Sequence, residues 1–376
     1  MIVDKIEAWA CDTPISNPID LGNFTVRQRS YLGVRVHTSD GLVADCVTQS
    51  RGSPLDVVIT DVLAPRIVGK DARDVAAIRA ALEIELTALE LHGAIGRAWS
   101  ALEICLHDLR AQACGWPLWR MLGGAPRAVP VLVVEGYAIR GEPDDQFIDR
   151  LVARADQGFT MIKIETGHYA DDAIMLRNLE QFRARAGEKP RLVLDMAWSW
   201  SEHKSKLQTL KLLEEMGIDW VEDPFASTQV NSYRALRDSS RLPIGGGDET
   251  SQIDSIHALI EADAMDVVRL DATTMGGIEG VRNLGAAARR RGTRVSYHVH
   301  PEVHEHLVFG LGLADHVEMF PTDREFDRLH DLTHEAAFDR IVDGHLSPDE
   351  TPGTGLKIDL EKMAPFVRRH SAFSRH

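Results

Sequence analysis

Apolar and polar positions are arranged in two different ways along this chain, and the change falls near residue 130. Before it the pattern is mixed. "SYLGVRVHT" and "LVADCVTQS" are extended segments joined across the turn signal "SDG". "DARDVAAIRAALEIEL" and "AIGRAWSALEICLHDLRAQACG" place apolar residues at three- and four-residue spacing, and the second stops at Gly115. An α+β module over residues 1–125 is expected. After "GGAP" short apolar runs recur, separated by long amphipathic stretches: "VPVLVVEGY", "FTMIKIE", "RLVLDM", "DWVEDP", "LPIGGGDE", "MDVVRLD", "RVSYH" and "DHVEMF". Helical intervals such as "DDAIMLRNLEQFRARAG" and "IEGVRNLGAAARRRG" lie between them. Eight βα repeats over residues 126–345 predict a closed (β/α)8-type TIM barrel. The alternative is a doubly wound open sheet, but no GxGxxG follows the first strand.

The strand ends carry more chemistry than the strands. Lys163 and Glu165 end the second strand, Asp195 the third, Glu222 and Asp223 the fourth, Asp248 and Glu249 the fifth, Asp271 the sixth and His298 the seventh, while Glu318 sits in the eighth. In a barrel these points face one mouth. Parallel strands buried on both sides should be apolar, so ionised groups ending them need a cation or solvent. Asp195, Glu222 and Asp248 fit either helix capping with salt bridges at the rim or an oxygen-only site that suits Mg²⁺.

Composition narrows the partners. The chain of 376 residues has 44% hydrophobic and 26% charged residues, the profile of an ordinary globular protein, and no apolar run approaches a membrane span. A net charge of −15 argues against nucleic acid and acidic membranes. "MIVDKIEAWACD" is charged where a signal peptide would be apolar, so a cytoplasmic protein is expected. Cys11, Cys46, Cys105 and Cys114 show no CxxC and read as buried small hydrophobes. "RVSYHVHPEVHEHL" holds His298, His300, His304 and His306; the first ends a strand, and the others read as ordinary polar contacts on the following loop and helix. Its "HVH" is similar to the HxH of zinc-dependent amidohydrolases, although there the pair belongs to the first barrel strand.

Together, "IKIE", "LVLDMAWSW", "WVEDP", "GGDE", "VVRLDATTMGG" and "VSYHVHPEVHEHL" resemble the mandelate racemase branch of the enolase superfamily. The spacings of 27, 26, 23 and 27 residues from Asp195 to Glu222, Asp248, Asp271 and His298 strengthen the combination. The resemblance implies an α+β capping domain on a barrel of the modified (β/α)7β form, with "TPGTGLKID" beginning a return to the cap within residues 346–376. It also implies Mg²⁺, a carboxylate substrate, a base that removes the proton alpha to that carboxylate, and an enediolate intermediate. By position, Asp195, Glu222 and Asp248 match the metal ligands, with Glu249 the alternative third. Asp271 and His298 match a His/Asp dyad. Glu318 matches a hydrogen-bond donor to the substrate carboxylate when protonated, and Lys163 the first lysine of a KxK pair.

Two departures bear on the reaction. Glu165 stands where many members have a second lysine, and Ala197 where members often have Asn, although Trp200 keeps the aromatic of that loop. One base suffices for syn β-elimination, so dehydration of a hydroxylated sugar acid to a 2-keto-3-deoxy acid is expected. A racemase or epimerase with Glu165 as second base is the alternative, and cycloisomerisation stays open. A non-catalytic barrel and a zinc-dependent hydrolase are more distant rivals. "SNPIDLGNFT" and "CVTQSRGSP" are expected to line the mouth, with Arg51 meeting either a distal substrate carboxylate or a surface acid. A homo-oligomer is expected.

Overall fold

The computed structural model describes residues 1–22, 24–169 and 171–375; Asn23, inside the first expected lid, lies outside the described residues. Strands β1 (Val3–Asp20), β2 (Thr25–Thr38) and β3 (Val43–Gln49) form an antiparallel sheet. The β2–β3 reversal is the "SDG" turn, where Gly41 takes φ 86° and its N–H donates to Thr38 O. The C-terminal strand Val367–Ser374 pairs antiparallel with β1, completing a four-stranded sheet at the far end of the chain.

Helices Val75–Glu85 and Gly93–Ala113 belong to this N-terminal unit. The longer one is buried on almost every side because it lies between the sheet and the barrel. Its Glu103 carboxylate accepts from the backbone N–H groups of Ile278 and Glu279, capping the barrel helix Gly277–Arg291. Gly277 is required at that joint: it has φ 79°, and a Cβ there would meet Glu103 Oε2 at 2.1 Å.

The eight apolar runs are all strands: β4 (Val129–Gly136), β5 (Met161–Glu165), β6 (Arg191–Asp195), β7 (Trp220–Glu222), β8 (Ile244–Gly246), β9 (Val267–Leu270), β10 (Arg294–Tyr297) and β11 (Val317–Met319). They run parallel in chain order from β4 to β10, and β11 pairs back onto β4 to close the ring. A helix follows each strand from β4 to β10, whereas between β11 and residue 346 the described residues form only short turns of 3-10 helix and a hairpin of two-residue strands. The architecture is therefore the (β/α)7β barrel with an α+β cap.

Periodicity of two then sets what lies inside. Leu132, Met161, Val193, Trp220 and Val267 form an apolar cluster within the barrel. The residues two further along four of these strands point the same way, and they are Lys163, Asp195, Glu222 and Arg269. An ionic layer thus rests on an apolar one. No helix of the described residues is long and apolar enough to cross a membrane. Cys11, Cys46 and Cys105 are buried free thiols; Cys114, expected to be buried, is exposed at the end of its helix.

Candidate active site

The mouth of the barrel and the cap enclose a cavity of about 440 Å³. Glu165, Asp195, Asp248, Glu249 and His298 line it from the barrel, and Arg29, Arg51 and Arg97 from the cap. Non-glycine residues with positive φ gather at its strand ends: Ala197 (44°), Asp223 (41°), Glu249 (50°) and His300 (45°). Strained backbone of this kind persists only where surrounding structure enforces it, as Asp223 does here. Its carboxyl accepts from Tyr233 OH and from the N–H groups of Gly247 and Asp248, tying the fourth strand end to the fifth.

Asp195, Glu222 and Asp248 each bring a carboxylate oxygen into a group whose members lie within 4.8 Å of one another. Asp195 accepts from Ala197 N–H and lies 3.0 Å from Lys163 Nζ; Glu222 accepts from Lys163 Nζ and Trp220 Nε1 and lies 3.1 Å from Arg269 Nε. Burial raises the Asp195 carboxyl above its ordinary range and pushes Asp248 up to about 7. Burial acts on Glu222 as well, yet Arg269 and Lys163 outweigh it and hold Glu222 at about 2. Asp248 Oδ1 is buried with no hydrogen-bond partner. Three hard oxygen donors, one of them orphaned, fit a divalent cation such as Mg²⁺. Glu249 does not join them: it is bound by Arg51, which with the other nearby cations holds it below the carboxylate range although burial pulls upward.

His298 stands beside this group. Its Nδ1 lies 3.0 Å from Asp271 Oδ2 and 3.4 Å from Asp248 Oδ1, and its Nε2 3.6 Å from Glu249 Oε1. Asp271 is fixed in turn by the N–H and hydroxyl of Thr273, both at 2.7 Å. Burial works against the imidazolium, but Asp248, Asp271 and Glu249 outweigh it and lift His298 to about 9. The other histidines have different tasks. His304 Nε2 accepts from Ala272 N–H with its Nδ1 on Val299 O, and His306 joins Trp119 N–H to Thr354 O. Burial holds both near 4, so they are neutral clamps. Among the described residues no histidine enters a group able to hold a metal.

Glu165 lines the cavity from the end of β5. It accepts from Gly167 N–H at 2.5 Å and lies 3.4 Å from His168 Nδ1, and burial pushes it up to about 7.

Three expectations need correction. Lys163 does not reach the cavity; two residues deeper than Glu165, it is locked by Asp195, Glu222 and Glu318 in the ionic layer. Glu318 is an acceptor there, bound by Arg269 Nη2 and Lys163, rather than a donor to substrate. Trp200 turns away from the mouth and packs edge-on against Phe225, while Trp198 lines the cavity. Of the two partners expected for Arg51 the structure shows an acid, Glu249 after β8, at the edge of the cavity. Residues that the sequence reading passed over are Arg269, Tyr137, His168, Arg29 and Arg97. Arg269 alone had a signal, a charge inside the apolar run "VVRLD".

A closed barrel whose mouth joins a carboxylate cluster to a buried His/Asp pair defines a class of enzyme that combines a metal site with a base. The chain belongs to the enolase superfamily: residues 146–363 match the family described as "Enolase C-terminal domain-like", and residues 5–123 the "Mandelate racemase / muconate lactonizing enzyme, N-terminal domain". A chloromuconate cycloisomerase of Cupriavidus pinatubonensis is 28% identical over 98% of this chain and 100% of its own length. An L-talarate/galactarate dehydratase of Salmonella typhimurium is 25% identical over 79% of this chain and 72% of its own. The structure of L-talarate dehydratase from Polaromonas sp. JS666, complexed with Mg and L-glucarate, superposes with a TM-score of 0.86 at 20% identity, covering 100% of this chain and 99% of that one. These relatives are enzymes, and they divide between lyases and isomerases.

Proposed function

We propose that this protein removes the proton alpha to the carboxylate of a hydroxylated acid and expels the β-hydroxyl, giving a 2-keto-3-deoxy acid. The observation that carries the reading is His298, on the wall of a cavity that Asp195 and Asp248 of the three-carboxylate group also line, with Asp271 3.0 Å behind it. Asp195, Glu222 and Asp248 would hold Mg²⁺, which when bound supplies Lewis-acid stabilisation of the charge that develops on the substrate carboxylate.

His298 does the proton work. With Nδ1 donating to Asp271, its Nε2 is free to accept a proton, and Asp271 stabilises the imidazolium that forms. The Cα–H electron pair first moves onto the carboxylate to give the enediolate; as it returns to form the Cα=Cβ bond, the β C–O bond breaks. The proton on Nε2 goes to the departing hydroxyl, which leaves as water, and the enol product tautomerises to the keto acid. Cap and barrel together exclude bulk water from this exchange, since His298 is only 6% exposed.

A second reading rests on Glu165. It lines the same cavity on a strand remote from His298 in the ring, and a carboxyl near 7 is matched to proton transfer at neutral pH. With Glu165 and His298 on opposite faces the protein would epimerise its substrate. Screening hydroxylated acids with Mg²⁺ separates the readings: keto-acid formation supports dehydration, and an epimer without keto acid supports the second.

A further inference from the structure

Among the described residues three arginines are almost completely buried: Arg29, Arg154 and Arg269. Arg154 pairs with Glu135 and Asp323, and Arg269 with Glu222 and Glu318. Arg29 pairs with no carboxylate among the described residues. It comes from β2 of the cap, opposite Thr13 on β1, and lines the cavity while 3% exposed. Its Nε donates to Phe326 O at 2.8 Å, and its guanidinium lies 5.9 Å from the Tyr137 ring and 5.8 Å from the Phe320 ring. Nη2 is buried and has no partner.

Aromatic faces compensate part of the cost of burying a guanidinium, but an unpartnered N–H of a charged group is left to be satisfied. The neighbouring cations do not change this. Arg51 is neutralised by Glu249, and Arg97 donates only to the backbone oxygens of Gln49 and Glu249. The cap side of the cavity therefore carries uncompensated positive charge, whereas the barrel side carries the carboxylate group and the base.

We infer that the substrate is a diacid whose second carboxylate is bound by Arg29 at the cap end. This rests on the reading that the first carboxylate and its α-proton are presented to Asp195, Glu222, Asp248 and His298. A carboxylate matches the flat Nη edge left open once Nε is committed to Phe326. The cavity is of the size that encloses a small organic acid. Arg29 is then a specificity residue, and its pairing with ligand joins the cap to the barrel on binding.

The test compares matched six-carbon acids of one stereochemistry ending in carboxylate, CH2OH or phosphate, using the Mg²⁺-loaded wild type and Arg29→Met. Titration calorimetry and α-proton exchange in D2O are the readouts. Wild type is expected to favour the diacid over the monoacid by roughly 10–100-fold in kcat/KM, chiefly through KM, and Arg29→Met to lose most of that ratio. Equal use of monoacid and diacid by wild type, an unchanged ratio in the variant, or preference for the phosphate-bearing acid would each overturn the inference. If Arg29→Met does not fold, the wild-type comparison decides alone. Tight diacid binding without any proton exchange would defeat the proposed function and leave this inference standing; exchange without diacid preference would do the reverse.

Discussion

Asp248 Oδ1 lies 3.4 Å from His298 Nδ1, so the oxygen that lacks a hydrogen-bond partner belongs both to the carboxylate group and to the surroundings of the base. The charge on Asp248 is the largest influence lifting His298 to about 9 against its burial. A divalent cation on Asp248 offsets that charge. Saturating Mg²⁺ is therefore expected to move the His298 titration downward from about 9 toward neutrality, followed by NMR of the ring carbons. An unchanged titration would show that the ion does not bind at Asp248.

Stability should depend on pH in a way that Mg²⁺ reverses. Asp248 is raised from 3.8 to about 7 and His298 from 6.5 to about 9. Each group's contribution is fully present below its unfolded pKa and lost as pH rises through its folded pKa. In the metal-free protein the contribution of these two groups should be lost from about pH 4 to pH 9. Mg²⁺ needs deprotonated ligands, so its stabilisation, about 2.7 kcal/mol at a hundred times Kd, should grow with pH. Thermal melts at pH 5 and pH 8 check this, and Asp195→Asn should remove most of the Mg²⁺ effect.

Asp271→Asn is expected to lower kcat by roughly 10²–10⁴-fold with the fold intact, because the tautomer and basicity of His298 are disturbed. His304→Asn should act differently. Its ring holds the Ala272 N–H beside Asp271, so the change should lower Tm and affect turnover less than Asp271→Asn does. A larger loss of turnover in the His304 variant would put the base in the wrong place.

Arg269→Met should cost about 3–5 kcal/mol in chemical denaturation, since it leaves Glu222 and Glu318 facing each other in a dry layer with one cation fewer. A loss below about 1 kcal/mol would mean that Lys163 alone balances that layer.

The ring of eight strands was legible because parallel strands buried on both faces must be apolar throughout, which makes them stand out between amphipathic helices. The acidic strand ends were legible for the converse reason. Depth was not. Lys163 and Glu165 have the same inward parity, and only the tilt and closure of the barrel decide that one is locked below Glu222 while the other reaches the cavity. Trp198 and Trp200 differ in the same way, through the positive φ of Ala197 and Trp198, which turns the loop. Arg29 gave no signal at all, because nothing in the sequence around it marks it as buried until the cap is folded onto the mouth.

The most direct test of His298 as the base is α-proton exchange in D2O with an accepted acid and Mg²⁺, comparing wild type, His298→Asn and Glu165→Gln. The expected result is exchange and keto-acid formation in wild type, neither in His298→Asn, and measurable exchange retained in Glu165→Gln. Exchange persisting in His298→Asn while it vanishes in Glu165→Gln would contradict the account and assign the proton to the other side of the cavity.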